Sequence, residues 1–219
     1  MPTFPETTRA MIRRWNRQAR RYDMMVAPME RMLGLASART QLFESLPNGR
    51  ILEVGAGTGK NLVHHPPGAV VIPTDLSPGM LERLRRAAGG APVVRRAVAT
   101  DAEDLAFRDG SFDAVVGSCV FCTVPDPVRG LREVRRVLKD AGRLVLLEHV
   151  RPRGALGRLF DVLDPVMSRI MGPHINRRTV DNVRAAGFDV IAEHDVFSHW
   201  VKVIVARSRR ADTTQQTTR

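Results

Sequence analysis

The chain predicts an α/β fold: one seven-stranded sheet, mostly parallel with one antiparallel C-terminal strand, helices on both faces, and a helical N-terminal lid. Three observations predict it. Short apolar runs alternate with amphipathic helical stretches between residues 50 and 150. A glycine-rich turn follows the first of those runs, and an aspartate ends the second. Two late apolar runs, 188–194 and 200–206, are joined by so short a link that they must pair antiparallel.

The elements follow in order. Met11, Ile12, Trp15, Ala19 and Tyr22 recur at helical spacing among six arginines, and Pro28 is expected to end or bend this stretch. A second helix is read at 29–45, so that residues 1–45 form the lid segment. Leu46-Pro47-Asn48-Gly49 is a turn signal, and Ile51-Leu52-Glu53-Val54 a short buried strand. The glycine turn should lead into a helix, closed by His64-His65 before Pro66-Pro67. A second strand covers 70–74, and Ser77 caps a helix over 78–88 with Pro78 in its first turn. Strands are read at 93–98, 112–116 and 144–147, with a helix over 126–138 that puts Val128, Leu131, Val134 and Val137 on one face. A helical region over 156–186, broken near Gly172-Pro173, precedes the last two strands, and the domain proper is read as 46–207. The Thr-, Gln- and Arg-rich segment 208–219 is expected to be a disordered tail.

Composition excludes several classes. The 219 residues are 43% hydrophobic and 26% charged, as in an ordinary soluble globule. No apolar run is long enough to cross a bilayer, and no apolar core of a secretory signal follows the first residues. Two cysteines do not make a disulfide framework, so a reducing, cytoplasmic address is expected. The net charge of +11, nearly all of it arginine, fits attraction to an anionic partner, a peripheral contact with an anionic membrane among them.

Glu53-Val54-Gly55-Ala56-Gly57-Thr58-Gly59 carries the functional signal. Glycines there let the backbone turn sharply and leave no Cβ between chain and ligand. The turn lies where open α/β sheets bind ligands, at the carboxyl ends of the strands. A dinucleotide fingerprint would need glycine at position 60, and this chain has Lys60. Asp75, at the end of the second strand, is placed to accept hydrogen bonds from both hydroxyls of a ribose.

These residues resemble the class I S-adenosylmethionine-dependent methyltransferases, which have a Rossmann-like sheet. Glu53-x-Gly55-x-Gly57-x-Gly59 is similar to the family's first motif, and Asp75-Leu76-Ser77-x-x-Met80-Leu81 to its second-strand acidic segment. Thr100-Asp101-Ala102-Glu103-Asp104-Leu105 resembles the loop that holds the adenine amino group. Arg136-Val137-Leu138-Lys139-x-x-Gly142 resembles a helix–turn–strand segment of the family, with Asp140-Ala141 in place of Pro-Gly. The resemblance implies the cofactor S-adenosylmethionine. It places Gly55, Gly57 and Gly59 at the methionine part, Asp75 at the ribose, Asp101 and Ala102 at the adenine amino group, and Leu76 and Met80 against the ring; Glu53 and Ser118 join this cofactor set.

The methyl acceptor is less clearly written. His149, beside Glu148 at the end of the fifth strand, is the candidate base, and no metal is expected. Cys119-Val120-Phe121-Cys122 has no second pair for zinc and reads as buried structural thiols. Methyltransferases of base amino groups carry an Asn/Asp-Pro-Pro-aromatic segment there, so nucleic acid is disfavoured as a partner. A narrower likeness, through Phe121-Cys122-Thr123-Val124 and Leu147-Glu148-His149-Val150, is to the small methyltransferases of thiols, phospholipid amines and quinone rings. A small, hydrophobic acceptor is expected, with Trp15 and Tyr22 packed inward from the lid. An RNA-directed methyltransferase and a non-catalytic cofactor-binding module are the alternatives.

Overall fold

A computed structural model describes residues 6–44, 46–90 and 96–209. Three helices open the chain, α1 (Glu6–Gln18), α2 (Tyr22–Met32) and α3 (Leu35–Glu44). Then follow β1 (Arg50–Val54), β2 (Val70–Asp75), α4 (Pro78–Ala87), β3 (Val98–Ala99), β4 (Phe112–Ser118), α5 (Pro127–Val137) and β5 (Leu138–His149). The chain closes with α6 (Gly154–Met171), α7 (Thr179–Ala185), β6 (Phe188–Phe197) and β7 (Val201–Ser208). The strands form one seven-stranded sheet in the order β3-β2-β1-β4-β5-β7-β6. Every pairing is parallel except those of β7, which runs antiparallel to both β5 and β6.

β1 and β2 are buried along nearly their whole length, the pattern of parallel strands covered on both faces. Alternate residues feed two cores. Leu52 and Val54 meet Leu131, Val134 and Val137 of α5, while Ile51, Val116 and Val145 meet Leu42 and Phe43 of α3. Leu131, Val134 and Val137 are fully buried, each worth roughly 1.5–3 kcal/mol of apolar transfer. Asp126 caps α5 by accepting from the Arg129 amide at 2.9 Å, and Pro127 starts the helix.

The structure revises five readings. Only a single 3₁₀ turn, Leu62–His64, follows the glycine loop, because Pro66-Pro67 cuts the segment before an α-helix can propagate. The first two helices break at residues 19–21, and Pro28 sits inside α2. β3 is shorter than expected: only Val98 and Ala99 pair, and residues 93–95 lie outside the described part. β5 is longer and absorbs residues 139–142 as an irregularity between the pairs Phe112–Leu138 and Ala114–Arg143. Of the expected tail, Ser208 closes β7, and residues 210–219 are outside the described part.

Candidate active site

A cavity with about 720 Å³ of empty space, partly open to solvent, lies over the carboxyl ends of β1, β2 and β4. Its floor is Val54, Gly55, Gly57 and Asp75, one wall is Leu76, Met80, Asp101 and Ala102, and α1 and α2 roof it with Met11, Trp15 and Tyr22. Ser118 and Cys119 form the far side.

Two glycines of the loop differ in what they need. Gly55 has φ +67°, and a Cβ there would meet Val120 Cγ2 at 2.4 Å. Gly57 has φ +56°, and a Cβ there would meet no protein atom, only the cavity. The loop therefore holds itself together at Gly55 and clears room for a ligand at Gly57. Gly59 does not line the cavity; it packs on Leu62 and Leu84.

Asp75 is the charged centre of the floor. Its Oδ2 accepts from the Gly57 amide at 2.9 Å and its Oδ1 from the Ser77 amide at 2.8 Å. Burial pushes its carboxyl up to about 6, against the pull of those two amides. Each oxygen keeps a free lone pair toward the cavity, which is the donor-hungry surface a ribose diol satisfies. Leu76 and Met80 supply the apolar flank an adenine ring needs, and Asp101 Oδ1 is held by the Glu103 amide at 2.9 Å. These residues fit S-adenosylmethionine.

Two more expected residues sit elsewhere. Glu53 is buried behind the loop, where its carboxylate accepts from Asn61 at 2.7 Å and lies 2.9 Å from His65 Nε2. It braces the turn and does not line the cavity. His149 is also outside: its Nε2 donates to the His174 carbonyl at 2.9 Å, and burial pushes its imidazole toward the neutral form. This geometry gives no support to a base role for it. Cys119 and Cys122 have thiols pushed up by burial, the first to about 12, so neither is a ready nucleophile. Cys119 also holds φ +52°, which leaves its amide to donate to the Leu147 carbonyl at 2.8 Å.

The lid contacts escaped sequence reasoning. Asn16 Oδ1 accepts from Ser77 Oγ at 2.6 Å and from the Gly79 amide at 2.8 Å, so α1 caps the first turn of α4. Thr58 donates to Asp23 Oδ1 at 2.7 Å, and Lys60 pairs with Glu30, fixing α2 above the glycine loop. Asn16 lies 61 residues from Ser77, and one exposed asparagine in an arginine-rich stretch gives no periodic signal. Thr74 and Thr100 also line the cavity, each one residue before a predicted acid, so the strand-end position marked them.

Comparison with known proteins agrees with this geometry. Residues 52–146 match the family described as the methyltransferase domain. Human thiol S-methyltransferase TMT1A is 33% identical over 167 residues, which cover 70% of this chain and 68% of that protein. Demethylmenaquinone methyltransferase of Clavibacter sepedonicus is 42% identical over 116 residues, 52% of this chain and 47% of that one. The chain spans about half to two thirds of the length of the curated relatives it matches. A SAM-dependent methyltransferase of Thermotoga maritima shares the fold, with a TM-score of 0.63 at 22% identity over 90% of this chain and all of that one. With the sheet order, the glycine loop and these relatives together, the chain belongs to the class I S-adenosylmethionine-dependent methyltransferases.

Proposed function

We propose that the protein transfers a methyl group from S-adenosylmethionine to a small, hydrophobic acceptor: a thiol, a phospholipid amine or a quinone ring. The observation that carries this reading is the make-up of the cavity beyond the cofactor floor. Trp15, Tyr22, Val120, Thr123 and Val124 line it, and among the described residues no lysine, arginine or histidine does. Such a wall desolvates and positions an apolar acceptor and offers no cation to grip a nucleic-acid phosphate.

The bound cofactor supplies a methyl carbon already activated by a positively charged sulfur. What remains for the chain is placement. Asp75 would accept from the ribose hydroxyls, Asp101 and Ala102 would hold the adenine edge, and Ser118 with the backbone of Gly55 and Gly57 would set the methionine end. Burial pushes the Tyr22 phenol up, so it serves as a neutral donor or packing surface, not as a base. The two carboxylates of the lining, Asp75 and Asp101, are assigned to the cofactor, and of the three acceptors a thiol asks least of the chain, since its thiolate is the natural nucleophile.

Among the described residues no helix is long and apolar enough to cross a membrane. We read the protein as cytoplasmic and in peripheral contact with an anionic bilayer, a reading supported by the net charge of +11.

The test is formation of S-adenosylhomocysteine by purified protein given S-adenosylmethionine and, in turn, an alkyl thiol, dispersed phosphatidylethanolamine or a reduced quinone. Turnover with at least one is expected. Tight binding of S-adenosylhomocysteine by calorimetry with no turnover on any acceptor would sink the transfer reading and favour a cofactor-binding module.

A further inference from the structure

We infer that the outward face of α6, with the arginines at its junction with α1, is a docking surface for an anionic lipid bilayer. The inference rests on the peripheral reading above and deepens it by naming the surface.

α6 is inside out. Over residues 154–170 it buries only Gly157 and Asp164, one helical face seven residues apart. The opposite face carries Leu159, Val162, Leu163, Val166 and Ile170, with exposures of 51%, 75%, 42%, 58% and 69%. Their spacing of i, i+3, i+4, i+7 and i+11 makes one continuous stripe, on a helix about 27 Å long. A soluble monomer puts such a stripe against its core; here it faces solvent, which marks an interaction surface. The inward face is polar for reasons of its own. Asp164 takes His174 Nδ1 and the Ile175 amide, both at 2.7 Å, and Phe160 packs edge-on to Trp200.

Charge decides what covers the stripe. The two acids of α6 are both spent: Asp161 pairs with Arg151 at 2.6 Å, and Asp164 is buried in the bonds just given. Arg158 and Arg169 are exposed and have no carboxylate partner among the described residues. At the end of the stripe, Arg14, Arg17 and Arg169 surround Ile170 in a groove shared with α1. An apolar stripe edged by unpaired arginines complements acyl chains below and anionic headgroups beside them. A second copy fits poorly: an antiparallel α6 pair centred on the stripe would set Arg158 of one chain against Arg169 of the other, in a protein of net charge +11. Docking by this face would hold the α1 lid and the cavity it roofs near the lipid, where a hydrophobic acceptor is concentrated.

The experiment is co-sedimentation with vesicles of phosphatidylcholine alone and of phosphatidylcholine with phosphatidylglycerol. The full chain is compared with a Val162→Asn, Val166→Asn, Ile170→Asn triple variant and with Arg158→Gln, Arg169→Gln. These side chains are exposed, so melting temperature and turnover of a soluble thiol should stay unchanged. Expected is strong binding to the anionic vesicles only, at least about tenfold weaker in the triple variant, with a shallower salt dependence in the arginine variant. No binding by the parent protein would overturn both the surface and the peripheral reading. Equal binding by the triple variant would overturn the surface and leave the peripheral reading standing. A dimer in sedimentation velocity, dissociated by the triple variant, would assign the stripe to a second copy instead.

Discussion

Asp75 at the end of β2 and Glu148 at the end of β5 are built alike. Each is a carboxylate, half-buried in Asp75 and buried in Glu148, accepting two backbone amides, from Gly57 and Ser77 in one case and from Val120 and Phe121, both at 2.8 Å, in the other. Burial pushes both up, Asp75 to about 6 and Glu148 to about 7. They differ in what lies in front of them. Asp75 opens on the cavity, whereas Glu148 is sealed behind the turn after β4, with Cys122 and His149 within 4.8 Å. A carboxylate at a strand end is thus not a site by virtue of place or perturbed titration. What suits Asp75 to the proposed binding role is its place on a space a ligand can enter; Glu148 spends the same chemistry on the amides of the turn after β4.

Two substitutions break the comparison if it is wrong. Glu148→Ala leaves two buried amides unpaired and should cost about 3–4 kcal/mol of stability in denaturant unfolding below pH 7. A loss under about 1 kcal/mol would deny it the turn-holding role. Asp75→Ala should weaken S-adenosylhomocysteine binding by about 30–100-fold in calorimetry, roughly 2–3 kcal/mol for lost charged hydrogen bonds, and leave the fold intact. If instead Asp75→Ala mainly unfolds the protein and Glu148→Ala mainly weakens the cofactor, the two roles are reversed.

The sequence made Asp75 legible and left Glu148 ambiguous. Asp75 closes a short apolar run and is followed by Ser77-Pro78, a helix start, so both its place and its neighbours were written locally. Glu148 also closes an apolar run, beside a histidine that was the more tempting acid–base group. Only the three-dimensional positions of the turn after β4 and of His174 show that both are engaged in holding backbone. The mostly parallel sheet with a late antiparallel strand was readable because β–α alternation and a short final link are local signals. The helix expected after Gly59 was not, although Pro66-Pro67 left it six residues to form in. α6 shows the limit most plainly. Its periodicity announces an interface but cannot say whether the apolar stripe meets the sheet or the outside, because Gly157 and Asp164 read as breaks in a pattern and not as its buried face.

Titration sharpens the comparison, since the two carboxylates should move different observables in opposite directions. Ribose hydroxyls need the ionised form of Asp75, so cofactor affinity should fall about tenfold between pH 7 and 5 as the pH drops through about 6. Asp75→Asn should flatten that profile. Glu148 has a folded value raised above its ordinary 4.5, so its stabilising share is present at low pH and lost as pH rises through about 7. Between pH 6.5 and 8 parent stability should drop by about 1 kcal/mol relative to Glu148→Gln, a difference in which the contributions of Asp75 and His149, common to both proteins, cancel. Denaturant midpoints for the pair across that range check it, and parallel curves would refute the assignment.

The smallest effect tests why only the Asp75 end answers to the lid. Ser77 gives its amide to Asp75 and its hydroxyl to Asn16, so one residue couples the carboxylate to α1. The Glu148 end has no such link to α1 among the described hydrogen bonds. Asn16→Ala removes the acceptor for Ser77 Oγ and the Gly79 amide and should loosen α1 without touching the cavity floor. A cost of about 0.5–1 kcal/mol is expected, as for a lost helix cap. It should appear as a severalfold faster release of S-adenosylhomocysteine and faster proteolysis within α1, with the association rate and the pH profile of binding unchanged. Asn16→Asp, which keeps the acceptor, should restore slow release. If both variants release the cofactor at the parent rate, the lid is held by its other contacts, Thr58–Asp23 and Lys60–Glu30 among them, and the Asp75 end is no more coupled to α1 than Glu148 is.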